Sequence, residues 1–330
     1  MKKVSQKDIA TSLNVSRVTV TKALKDHPDI AEKTRTMIKK KALEMGYIPD
    51  FIGRSLSSKR TQTIGIVLPK IAHSFFALSV EKFYEAARKR GYNIIPMISF
   101  EDEQNELENI QTLLSMRVDG IIIDIAGNSS NYSNYELAKK AGVKILFYDR
   151  CPRTCNDGAV VTNDRDSAYR MVKLLIAKGY KKIYHFAGPP TLSIAAERQK
   201  GYEYAMDEVN MLKHILKVDL KEQSGYSAII SCHKNSELPD AVFAVNDSVA
   251  KGIYKAANEL GLKIPDDIAV AGFGDIESAQ LLTPPLTSVK MPIGEMTKAA
   301  IDTLIDVIEN DMEFNQKKVF QSEIIERQSI

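Results

Sequence analysis

Two groups of side chains in this 330-residue sequence have types and spacings that could do chemistry. The first group follows short apolar runs. Asp124 comes after Gly120-Ile121-Ile122-Ile123, and Asp149 comes after Ile145-Leu146-Phe147-Tyr148. Asn246-Asp247 follow Val242-Phe243-Ala244-Val245, and Asp275 follows Gly272-Phe273-Gly274. His73 and Phe75 lie just beyond Ile64-Gly65-Ile66-Val67-Leu68, and Arg198 sits in the helical segment 195–202. Ionised carboxylates accept from vicinal hydroxyls, while a guanidinium donates to ring or hydroxyl oxygens, so the set suits a neutral polyol. The same carboxylates leave glycoside hydrolysis open, a reaction that needs an acid and a nucleophile a fixed distance apart. Other chemistries lack their motifs: there is no phosphate-binding Gly-x-x-x-x-Gly-Lys loop and no Gly-x-Ser-x-Gly elbow. Gly272-Phe273-Gly274 has Glu277 where a dinucleotide fingerprint needs a third glycine. Cys151, Cys155 and Cys232 form no Cys-x-x-Cys pair, so neither a metal nor another cofactor is expected.

The second group is Arg17, Val18, Thr21 and Lys22, which share one face of a short helical segment. Val20, Ala23 and Leu24 form the opposite stripe, facing Ile9 and Leu13. An apolar Val18 between cations is misplaced on a solvated face. Either it packs on a neighbouring helix or it meets a thymine methyl in a major groove while Arg or Lys reaches guanine. The charge distribution favours the groove. Residues 1–60 carry 14 Lys and Arg against 6 Asp and Glu, whereas the remaining 270 carry 31 against 36. A basic head on a mildly acidic body is the electrostatic footprint of a nucleic-acid-binding module.

Both groups need elements to position them. In the head, Ser5-Gln6-Lys7-Asp8 has capping-box spacing, and Ser16 is placed to cap a second helix. Two helices joined by a few residues, then a third over about 31–45 ending at Gly46, make a helix-turn-helix domain. Residues 49–56 can form only a two-turn helix, marginal in water, and 57–62 read as a basic tether. From Thr63 onward, apolar runs alternate with helical stretches such as 75–90 and 103–116, and the rhythm restarts after Val161. Repeated βα units imply parallel sheets in two α/β lobes, with ligands outside the carboxyl ends of the strands. Asp247 is expected to cap the helix that begins there. With no run of 18 apolar residues and no apolar leader, the chain is expected to be cytoplasmic, with no membrane partner.

The segments Val4-Ser5-Gln6-Lys7-Asp8-Ile9-Ala10, Val15-Ser16-Arg17-Val18-Thr19-Val20-Thr21-Lys22-Ala23-Leu24, Gly46-Tyr47-Ile48-Pro49 and Arg54-Ser55-Leu56 resemble the signature of the lactose-repressor/galactose-repressor family of bacterial transcription regulators. The resemblance extends through the body. It implies an all-α helix-turn-helix head (1–48), a hinge helix and linker (49–62), and a periplasmic-binding-protein-like effector-binding and dimerisation body (63–330). It further implies an N-lobe of about 63–161 and 290–320 and a C-lobe of about 162–289 and 321–330. By resemblance Arg17, Val18 and Lys22 contact bases, Leu56 wedges into the minor groove, and Ser5, Ser16, Thr19 and Thr21 hold phosphates. Gly53 departs from the alanine usual in such hinges. His73, Phe75, Asp124, Asp149, Arg198, Asn246 and Asp275 correspond to effector positions, while Leu220 stands where many relatives carry a stacking aromatic. The implied function is a homodimeric repressor of carbohydrate-utilisation genes, binding inverted-repeat operator DNA under control of a sugar-like effector. The alternative is a sugar-processing enzyme fused to a DNA-binding head.

Overall fold

The computed structural model describes residues 4–48, 60–127, 133–152, 158–314 and 316–330, and the chain divides into two compact units, Met1–Thr61 and Gln62–Ile330. The hinge segment 49–59, with Gly53 and Leu56, lies outside the described residues.

The head has three helices: α1 (Gln6–Leu13), α2 (Arg17–Leu24) and α3 (Glu32–Glu44). Ser5 and Asp8 form the reciprocal capping box expected of their spacing, with the Asp8 carboxylate accepting from the Ser5 N–H at 2.8 Å. Ser16 caps α2 by accepting from the Thr19 N–H at 3.0 Å. Caps of this kind stabilise a helix by about 1 kcal/mol each. Gly46 follows α3 at φ +66°, a left-handed conformation that suits a residue without Cβ. Ile9, Val20, Ala23 and Ile38 close the core of this unit, with Leu13, Leu24 and Met45 packed around them.

The body has two six-stranded sheets. The first contains β1 (Thr63–Leu68), β2 (Asn93–Ile98), β3 (Gly120–Ile123), β4 (Lys144–Tyr148), β5 (Ala159–Thr162) and β11 (Lys317–Phe320), ordered β11-β5-β4-β3-β1-β2 and parallel throughout. The second contains β6 (Ile183–Ala187), β7 (His214–Lys217), β8 (Ala241–Ala244), β9 (Ala269–Gly274), β10 (Thr287–Lys290) and β12 (Glu323–Ile325), ordered β12-β10-β9-β8-β6-β7. Only its β10–β12 pair is antiparallel. Strands buried on both faces carry continuous apolar runs, as in β3, Gly-Ile-Ile-Ile.

Helices α4 (Ser74–Lys89), α5 (Glu103–Ser115) and α6 (Ser133–Lys140) belong to the first lobe. Helices α7 (Asp164–Ala177), α8 (Ser193–Glu208), α9 (Glu222–Lys234) and α10 (Asp247–Leu260) belong to the second. After β10 the chain returns to the first lobe, where α11 (Ile293–Asn310) packs on α4 and β4, and after β11 it crosses again. The final crossing delivers β12 and a staple. Ser329 Oγ donates to the Val270 carbonyl at 2.6 Å and accepts from the Thr287 N–H at 2.8 Å. Gly252 sits where α10 crosses α9, and a Cβ there would meet the Glu222 carbonyl.

In each sheet the strand order reverses beside the first strand, between β1 and β3 and between β6 and β8. That reversal opens a crevice at the carboxyl ends of those strands. The two crevices face one another across the lobe boundary.

Candidate functional site

Two crevices become one site because two turns bridge the lobes. The Thr191 hydroxyl donates to the Gly127 carbonyl at 3.0 Å, and the Cys151 N–H donates to Ser193 Oγ at 3.3 Å. Between them lies a cavity of about 60 Å³. Five of the seven side chains picked from the sequence line it: His73, Phe75, Asp149, Arg198 and Asn246.

Each is held differently. Asp149 leaves β4 at φ +58°, is almost wholly buried, and has one carboxylate oxygen without a hydrogen-bond partner. Burial pushes its carboxyl up to about 6. Arg198 donates Nε to Asp164 Oδ1 at 2.7 Å and Nη1 to the Val245 carbonyl at 2.8 Å. Its guanidinium carbon lies 3.6 Å from the centroid of the Phe273 ring. Asn246 caps α10 through Oδ1, which accepts from the Val249 N–H at 2.8 Å. Phe75 packs edge-on against Phe76 and stacks on Tyr148. His73 is held neutral at physiological pH: burial, then Lys70 and Arg150, lower it to about 4.

Three expectations need correction. Asp124 does not line the cavity. It is fully buried behind it, 3.5 Å from Arg150 Nε, and desolvation holds its carboxyl well above the usual range. Arg150 is the charged group beside its carboxylate, which does not reach the cavity. Asp275 also points elsewhere: its carboxylate pairs with Arg327 Nη1 at 2.7 Å, while its neighbours Gly274 and Ile276 form the wall. Asp247 does not cap α10. Asn246 does, and Asp247 instead accepts from Ser288 Oγ at 2.6 Å and from the Ile276 N–H at 2.9 Å, bracing the wall loop.

The structure adds Lys70, Phe76, Glu101, Arg150, Phe273 and Leu220 to the lining. Arg150 donates Nη1 to Glu101 Oε2 at 2.9 Å. Glu101 follows β2, so its place beyond a strand's carboxyl end is readable from the sequence. Arg150 adjoins Asp149 in sequence, yet nothing in the pattern says that it turns inward. Aromatic faces beside unpaired acceptors and bonded cations can bind the apolar faces and hydroxyls of a ring polyol. Among the described residues, no group of three His, Cys, Asp or Glu side chains could hold a metal ion, and no helix is long and apolar enough to cross a membrane.

In the head, Val18 is 65% exposed, which removes the alternative in which it packs on α3. Arg17 is exposed beside it. Lys22 Nζ lies 2.7 Å from Asp29 Oδ2 in an exposed, solvent-screened pair that holds the lysine only weakly. Thr21 donates to Gln6 Oε1 at 2.7 Å, fixing α2 against α1. Ser16 Oγ and Thr19 Oγ1 lie 2.8 Å apart at the start of α2, where N–H groups suit a phosphate.

A helix-turn-helix head with an exposed reading face, on a two-lobed α/β body with a polar and aromatic cleft, defines a ligand-responsive DNA-binding regulator. Residues 5–50 match the bacterial regulatory proteins of the lacI family, and residues 172–330 match the periplasmic binding protein-like domain. The chain is 30% identical over 329 residues to the ribose operon repressor of Haemophilus influenzae, covering 99% of this chain and 98% of that protein. It is 29% identical to catabolite control protein A of Priestia megaterium, covering 94% and 97%. The lac repressor dimer bound to operator has the same fold, with a TM-score of 0.88 at 22% identity over 99% of each chain. The chain belongs to the lacI family of bacterial regulatory proteins. It is a DNA-binding transcription regulator with an effector-binding body, not an enzyme, and the sugar-processing alternative falls away.

Proposed function

We propose that this protein acts in the cytoplasm as a homodimer on inverted-repeat operators, repressing genes of carbohydrate use under control of a sugar-like effector held between the lobes. The observation that carries the reading is the meeting of His73, Phe75, Asp149, Arg198 and Asn246, drawn from both lobes, in one cavity. Relatives support it: the ribose operon repressors of Haemophilus influenzae and Escherichia coli are 30% and 29% identical to this chain, and a lacI-family regulator from Enterococcus faecium with this body fold was solved with bound ribose. Arg17, Val18 and Lys22 read bases, and Ser5, Ser16, Thr19 and Thr21 hold phosphates. An effector that prefers one lobe arrangement shifts the equilibrium between arrangements and so changes operator affinity.

The test is a thermal-shift screen of sugars on the full-length protein, followed by operator titration with and without the hit. A sugar at 100 times its Kd should stabilise the body by roughly 2.7 kcal/mol. A hit that raises the melting point but leaves operator affinity unchanged would defeat effector control. For the head, selection of binding sites from random DNA should return different consensus bases for wild type and for Arg17 or Val18 variants.

A further inference from the structure

A second cavity, of about 850 Å³, adjoins the effector cavity, and Asp149 and Ile194 line both. The inner cavity of about 60 Å³ is far smaller than the roughly 300–1,000 Å³ of most small-molecule sites, whereas the outer one falls within that range. The outer cavity lies where the chain crosses between lobes, walled by β5 and β11 on one side and by the first turns of α7 and α8 on the other.

With each paired carboxylate set against its cation, its wall keeps one net positive charge: the Arg165–Glu197–Lys200 trio and Lys317 supply two, and the Asp149 carboxylate, which also lines it, offsets one. Asp164 is paired with Arg198 at 2.7 Å, and Asp166 with Arg170 at 2.8 Å. Glu197 takes two cations, Arg165 at 2.6 Å and Lys200 at 2.7 Å, which leaves that trio with one positive charge in surplus. Lys317 has no carboxylate partner among the described residues, and its Nζ rests 3.6 Å from Cys151 Sγ. Helices α7 and α8 both begin at this wall without a side-chain cap; Asp164 and Asp166 offset the dipole of α7, whereas α8 has no acidic residue in its first turn and adds positive potential. At the wall common to both cavities stands Asp149, buried, with an unpartnered oxygen ready to accept from a hydroxyl. Hydroxyl recognition on one side of Asp149 and surplus cations on the other call for a ligand with both features.

We propose that the cleft is bipartite and takes a polyol bearing an anionic group. Its hydroxyls lie in the inner cavity at Asp149, and its anion lies in the outer cavity between Lys317 and the Arg165–Glu197–Lys200 trio. This rests on the reading of the cleft as the effector site and narrows its ligand from neutral sugars to charged ones. A phosphate ester and a sugar carboxylate share this chemistry.

Isothermal titration of the full-length protein with D-ribose, ribose 5-phosphate, D-glucose, glucose 6-phosphate, gluconate and inorganic phosphate tests the proposal. A charged sugar should bind roughly tenfold or more tighter than its neutral parent, because charge-assisted bonds are the strong ones. The advantage should shrink in about 1 M salt. Lys317→Gln combined with Lys200→Gln should remove the advantage and leave the neutral parent's affinity unchanged. A gain with the phosphate esters alone identifies a phosphoryl group, and a gain with gluconate alone a carboxylate. Neutral sugars binding as tightly as both charged kinds overturns the outer subsite while leaving the effector reading intact. Binding by none of the polyols overturns both.

Discussion

Replacing Arg198 with Met should destabilise the body sharply, because among the described residues its guanidinium is the one cation paired with the buried Asp164 carboxylate. Arg198 and Asp164 have side chains 4% and 6% exposed, joined at 2.7 Å. Without Arg198, Asp164 keeps among the described residues the Thr162 hydroxyl, 3.0 Å away. Met fills much of the volume, so the dominant loss is the orphaned charge. Removing one partner of a buried pair costs about 3–5 kcal/mol. At roughly 2–4 °C per kcal/mol for a large domain, the midpoint should fall by about 6–20 °C. Adding Asp164→Asn removes the orphan, so the double variant should recover about half of the loss or more. Calorimetric melts of wild type, Arg198→Met and Arg198→Met/Asp164→Asn at neutral pH decide it. A single variant within about 2 °C of wild type, or a double variant no more stable than the single, would refute the account of Arg198 as the counter-charge.

Other outcomes follow from the same geometry. Asp149→Asn should raise stability at pH 8 by on the order of 2 kcal/mol, since the folded pKa of about 6 lies above the unfolded 3.8 and the ionised form is the costly one. The native excess of bound proton spans that window, so wild-type stability falls as pH rises from about 4 to 6 and the variant's should fall less. Chemical melts across pH measure this, and φ +58° suits Asn. Gly252→Ala should cost more than about 2 kcal/mol, because its Cβ meets the Glu222 backbone at the α9–α10 crossing; an unchanged urea midpoint would contradict this. The fragment 62–330 should remain dimeric by light scattering and lose operator binding in gel shifts. Thr19→Ala should weaken all DNA sequences together, whereas Val18→Ala should change the preference at one base step by about 1–3 kcal/mol.

Periodicity and capping made the head legible. Ser5, Ser16 and Gly46 each impose a boundary by a local hydrogen bond or a positive φ, and the stripe of Val20, Ala23 and Leu24 packs with Ile9 and Leu13 in one core. The body's alternation of apolar runs and helices also announced its sheets, since parallel strands must be buried on both faces. The site was harder. Proximity to a strand end places a residue near the cleft but does not aim its side chain. Asp124 and Asp275 sit at strand ends, yet each is turned by a cation from a distant segment, Arg150 in one case and Arg327 in the other. The adjacent Asn246 and Asp247 competed for one cap, and the difference was settled by Ser288 and the Ile276 N–H, about 30–40 residues away along the chain. Long-range pairing of this kind leaves no local pattern to read.

The late return of the chain to each lobe bears on how the protein is made. The first sheet lacks its edge strand until residue 320 has been synthesised, and the second lacks the Ser329 staple for nine residues more. Until then the Val270 N–H and carbonyl and the Thr287 N–H, deep in the second lobe, have no native partners. Neither lobe can therefore close during elongation, whereas the head, complete by residue 48, can fold far ahead of them. A frameshift or stop codon before residue 321 would release a finished DNA-binding head on two open lobes. Such a product would carry the operator-reading surface without a sound effector domain, while its unpaired strand edges invite aggregation and proteolysis.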